Sequence, residues 1–112
     1  MPIMDEQTIS AAYGKLAQTR VELWGAIERT IRARLDVEKE RGARMMTGEI
    51  AGKNETEREA RARELLGALY LALESAEADE RRARLEHDLA KIEVDRVELV
   101  VRMVSASQVP AP

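Results

Sequence analysis

An all-α fold, a long antiparallel helical hairpin with coiled-coil-like packing assembled as an oligomeric bundle, is the architecture this sequence predicts. Three observations carry the reading. Charged residues make up 35% and the AVILMFWYC set 45% of the 112 residues, a mixture of Ala, Glu, Leu and Arg typical of long helices rather than disordered chains. Apolar residues recur at intervals of three, four and seven along two extended stretches. Three of the six glycines crowd into one internal segment, where the pattern breaks.

Residues 1–7, with Pro2 near the terminus, read as a flexible lead, and Asp5 or Thr8 suits the cap of a first helix. From there Ile9, Tyr13, Leu16, Leu23, Ile27, Ile31 and Leu35 form a helical stripe. Arg20 and Arg34 fall at or beside it and Trp24 widens it, so the face is more mixed than a strict coiled-coil seam. Arginine stems can lie over such a face while the guanidinium stays in water.

The segment RGARMMTGEIAGKN, residues 41–54, carries Gly42, Gly48 and Gly52 and marks the turn, with the connection near 43–54. Its Met45, Met46 and Ile50 are apolar enough to pack over an end of the core. Asn54 with Glu57, and Thr56 with Glu59, are two competing capping boxes that open the second helix. Leu69, Ala76, Ala83, Ala90, Val97 and Val104 then recur every seven residues, with Leu66, Leu73, Leu85, Leu89, Ile92, Leu99 and Met103 beside them. An alternative places a short turn at Glu77–Glu80 within the polar run SAEADERR, which gives a three-helix bundle. The single domain spans 8–104, and residues 105–112, with Pro110 and Pro112, read as a flexible tail.

At 1.5 Å per residue the two arms measure roughly 55 and 75 Å, so an isolated hairpin leaves apolar surface on the longer arm uncovered. Self-association is the simplest remedy, with a dimer favoured and another protein as the other candidate partner. Leu69, Leu73, Ala76, Ala83, Ala90, Val97 and Leu99 are the expected interface residues, with Trp24 and Ile27 contributing from the first helix.

Little in the composition supports catalysis. With no Cys, thiolate nucleophiles and thiolate metal sites are excluded. The lone His87, two residues from both Leu85 and Leu89, reads as a surface residue and cannot furnish paired Glu-x-x-His metal motifs or an ordinary triad. Acid pairs such as Glu77 and Glu80, or Glu93, Asp95 and Glu98, arise readily among 21 carboxylates on solvated faces. AGKNET lacks the glycine spacing of a phosphate-binding loop. The expectation is a non-enzymatic chain with no cofactor and no metal.

A formal charge of -3 removes a globally basic footprint. Residues 1–53 hold nine basic and eight acidic groups and 54–112 hold nine and thirteen, too small an asymmetry to set helix pairing. Arg29, Arg32 and Arg34 are the candidate phosphate contacts for the secondary reading, an accessory nucleic-acid-binding protein. Acids interrupt every basic run, which disfavours a helix lying on a membrane, and no apolar run or signal-like N-terminus is present. A cytoplasmic location is the resulting expectation.

The stretch EIAGKNETEREARARELL, residues 49–66, followed by the long helix through DLAKIEVDRVELVVRMV, resembles small helical proteins encoded by bacteriophages and prophages. The likeness covers about half of the chain and centres on GKNETERE, residues 52–59. It implies an all-helical protein in a phage or prophage setting, near replication and recombination, and brings no catalytic residue with it. Gly52 as turn and Asn54 as cap explain the motif as structure.

Overall fold

The computed structural model describes residues 5–107; of the expected lead 1–7 and tail 105–112, residues 1–4 and 108–112 lie outside the described residues, while Glu6, Gln7 and residues 105–107 are helical. The fold is all-α, with three helices among the described residues in the order α1 (Glu6–Met46), α2 (Glu55–Leu65) and α3 (Gly67–Ser107). Asp5 starts α1 as a cap, its carboxylate accepting the Thr8 backbone N–H at 2.8 Å.

The second arm is therefore not one helix, and its interruption lies elsewhere than at Glu77–Glu80. That run stays within α3 because Ala, Glu and Arg are strong helix formers whatever their polarity. The break falls at Leu66, whose backbone leaves the helical region (φ -112, ψ 28), just before Gly67, which has the lowest helix propensity apart from proline. Leu65 and Leu66 both pack onto the same apolar cluster, and this burial fixes where the helix yields.

The described residues form two compact units, one of residues 5–24 with 82–107 and one of Gly25–Arg81. In the first, Ala12 of α1 packs with Val94 and Val97 of α3, flanked by Ile9 and Leu16. Thr19 is also fully buried; its hydroxyl donates back to the carbonyls of Lys15 at 2.9 Å and Leu16 at 3.1 Å, which satisfies it within its own helix. Each fully buried valine contributes on the order of 1.5–3 kcal/mol, so Val97 is a principal anchor here.

The second unit has two centres. Ala26, Thr30 and Val37 are the buried face of α1, and the Thr30 hydroxyl lies within hydrogen-bonding distance of both the Ala26 carbonyl, at 3.1 Å, and the Ala76 carbonyl of α3, at 3.2 Å. Ile50, Ala62 and Leu66 form the other cluster, supported by Leu65, Leu69 and Tyr70. Ile50 thus packs as expected from the turn, whereas Met46 is 90% exposed.

The turn is held by its own backbone. Gly48 takes a positive φ of 82, the left-handed position that closes α1, while Ile50 N–H returns to the Arg44 carbonyl at 3.2 Å. Asn54 caps α2 by accepting the Glu57 N–H at 2.9 Å, and Glu57 reaches back to the Lys53 N–H at 2.8 Å, a variant of the capping box. A Cβ at Gly52 would lie 2.8 Å from the Glu57 Cβ, so only glycine lets the chain pass this closely. Arg41 of α1 clasps α2 by pairing with Glu55, at 2.8 Å, and with Glu59.

Candidate interaction surface

Burial divides the apolar residues of each helix into an inner and an outer face. In α1 the buried positions Ala12, Thr19, Leu23, Ala26, Thr30 and Val37 follow steps of three, four and seven. The predicted stripe is split by this choice: Ile9, Leu16 and Leu23 lie on or beside it, whereas Tyr13, Ile31 and Leu35 are exposed. Threonines and alanines occupy much of the inner face, so the packing seam is less apolar than the stripe that hydrophobicity alone selects.

Of the expected interface residues, Ala90 and Val97 are buried within the first unit, and Ala83 is half-buried there. Leu69 packs on the Ile50 cluster; Leu73, Ala76 and Ile27 are half-buried, and the Ala76 carbonyl faces the Thr30 hydroxyl. Trp24 and Leu99 stand apart, 63% and 56% exposed. Val94 and the two buried threonines belong to the same inner faces, although they are not among the expected interface residues. Val94 sits four residues after Ala90 and three before Val97, a spacing that identifies it once the Ala90 and Val97 positions are taken together.

The outer face of α3 in the first unit leaves a row of large apolar side chains in water. Leu85, Leu89, Ile92, Leu99 and Met103 are each more than half exposed. Their spacing of four, three, seven and four puts them on one side of the helix, and the gap is filled by Arg96. The Arg96 guanidinium is tied to Glu93 one turn back, at 2.6 and 3.0 Å. That bond holds the Glu93 carboxyl below its ordinary range.

The arginine cluster does not converge on one point. Arg29 and Arg32 line an open groove of about 360 Å³ in the second unit together with Asp36 and Asp79, while Arg34 is exposed and absent from its lining. No ion pair is formed by Arg29, Arg32 or Arg34 among the described residues.

His87 is not the surface residue its neighbours suggest. Its side chain is 18% exposed, with Nδ1 3.9 Å from an Asp88 carboxylate oxygen and a buried Nε2 that has no hydrogen-bond partner among the described residues. It stands four residues after Ala83 and three before Ala90, on the inner face of α3. Among the described residues no group of three His, Cys, Asp or Glu is placed to hold a metal ion, and no helix is long and apolar enough to cross a membrane.

Most residues of GKNETERE have a structural task. Gly52 allows the close approach, Asn54 and Glu57 cap, and Glu55 and Glu59 receive Arg41. Arg58 donates to the Gly52 carbonyl at 3.2 Å. No protein-family model, curated protein or solved structure matches the chain.

Proposed function

We propose that this chain is a non-catalytic helical assembly module that works by associating through exposed apolar helix surface, with a homodimer as its basic state. The observation that carries the reading is the α3 row from Leu85 to Met103, five large side chains left in water at helical spacing beside a core already completed by Val94 and Val97. Contiguous apolar surface of this kind is an association site in water-exposed proteins. Light scattering coupled to size-exclusion chromatography over a concentration series tests it. A mass of two chains, or a multiple of two, supports the module; the mass of one chain at every concentration overturns self-assembly.

A second reading, accessory nucleic-acid binding, draws on the unpaired guanidiniums of Arg29, Arg32 and Arg34. Asp36 and Asp79 on the same groove as Arg29 and Arg32 would repel phosphate, which ranks this reading below the first. A salt-dependent shift of DNA by the protein, lost on Arg29→Glu, Arg32→Glu and Arg34→Glu, supports it; absence of a shift at low salt removes it.

A further inference from the structure

We infer that α2 is a latch closed by charge: screening the Arg41 ion pairs frees α2 from α1 while the rest of the second unit stays folded. The cause lies in how the inner face of α1 changes toward its end. Thr30 and Val37 are buried on that face, and the positions four and seven residues after Val37 are Arg41 and Arg44. Both arginines are half-buried. The face therefore passes from apolar to ionic where α1 meets the turn and α2.

The partners are acids. Arg41 pairs with Glu55, at 2.8 Å, and with Glu59, both on α2, and Arg44 pairs with Glu49 of the turn. The apolar cluster of Ile50, Ala62 and Leu66, flanked by Leu65, Leu69 and Tyr70, is built from the turn, α2, the junction after it and the start of α3, and α1 supplies none of these residues. Arg41, whose side chain is only 23% exposed, thus carries the polar contacts of α1 with α2 among the described residues.

Little else secures α2. It is 11 residues long with Ala62 as its buried residue, and a helix this short is marginal in water by itself. Nor does α3 extend it, because the backbone break at Leu66 separates the two, and Gly67 beside the break has open space where a Cβ would stand. Salt at about 1 M shortens the screening length to about 3 Å, which weakens charge pairs, whereas apolar burial on the inner faces of α1 and α3 does not depend on charge. Salt therefore acts first on α2, the segment with the fewest buried apolar contacts.

Amide hydrogen exchange of the full chain, at one protein concentration, tests the latch. The α2 amides from Arg58 to Leu65 should exchange about tenfold faster in about 1 M than in about 20 mM NaCl, with those around Thr30 and Val37 of α1 and Val94 and Val97 of α3 unchanged. Arg41→Gln should show the fast exchange already at low salt and gain less than about twofold from added salt, although the pairs within α2 remain; Arg34→Gln, which removes an exposed cation from the same helix, should behave as the wild type. Exchange of α2 in step with α1 and α3, indifference of α2 to both salt and Arg41→Gln, or α2 amides unprotected at low salt would each overturn the inference. The chain has no Cys, so Ala62→Cys and Val97→Cys, each verified helical by circular dichroism, give a second measure with an uncharged maleimide. Added salt should speed labelling about tenfold at residue 62 and leave residue 97 protected. An equal rise at both positions means that the whole fold opens, and the latch is then refuted.

Discussion

The Tyr13 hydroxyl donates to the Glu98 carboxylate at 2.6 Å, joining the first turns of α1 to the last third of α3 across 85 positions of sequence. That bond is the principal reason the Tyr13 phenol ionises above its ordinary value of 10.0, since the phenolate would face a carboxylate with no proton between them. A raised folded-state value means that the contribution to stability is complete below about pH 10 and is lost as the pH climbs through the folded value. In an ultraviolet titration the wild type should therefore show one tyrosine ionising late, and Tyr13→Phe should abolish that late step. A late step that persists in Tyr13→Phe would refute the coupling.

Val97 and Leu99 lie two residues apart on α3 with opposite environments, the first fully buried and the second 56% exposed. Val97→Ala should cost about 2 kcal/mol in urea denaturation, from lost burial and the cavity left behind. At protein concentrations low enough for a monomeric chain, Leu99→Ala should change the stability of the fold by less than about 0.5 kcal/mol. Equal losses at the two positions would contradict the inner and outer faces described for the helix.

Gly52 and Gly67 make a second pair of opposites. A Cβ at Gly52 meets the Glu57 Cβ at 2.8 Å, whereas one at Gly67 meets nothing within 4 Å and the backbone there has no positive φ. Gly52→Ala should destabilise by about 1–3 kcal/mol through overpacking in the cap. Gly67→Ala should stabilise by up to about 1 kcal/mol through helix propensity. Thermal denaturation of the two variants gives the signs directly.

His87 carries a buried nitrogen without a partner among the described residues, and such a group costs stability that an apolar side chain recovers. His87→Leu should raise the unfolding free energy by about 1 kcal/mol at neutral pH, read from the urea midpoint at unchanged slope. A lower midpoint would show that Nε2 is satisfied in solution.

The helical character, the turn and the α2 cap were legible because each has a local cause: Asn54 and Glu57 are three residues apart, and Gly48 and Gly52 sit where the backbone needs them. The division of α1 into inner and outer faces was not legible, because Thr19 and Thr30 look polar in sequence and become inner residues only by bonding back to their own helix. The break at Leu66–Gly67 escaped for a related reason. A single glycine is a weak signal, and the packing of Leu65 and Leu66 on Ile50 that tips the balance is tertiary. On the surface, Leu85, Leu89 and Ile92 were visible as apolar, but which of two adjacent stripes stays wet depends on where α1 lies.

Thr30 also governs what the second unit can do mechanically. Its hydroxyl reaches the Ala76 carbonyl of α3 in addition to the carbonyl of its own helix. Displacing α1 by one turn, about 5.4 Å, would carry the hydroxyl away from that oxygen. The contact thereby favours one register of α1 against α3 within this unit, by about 0.5–1.5 kcal/mol.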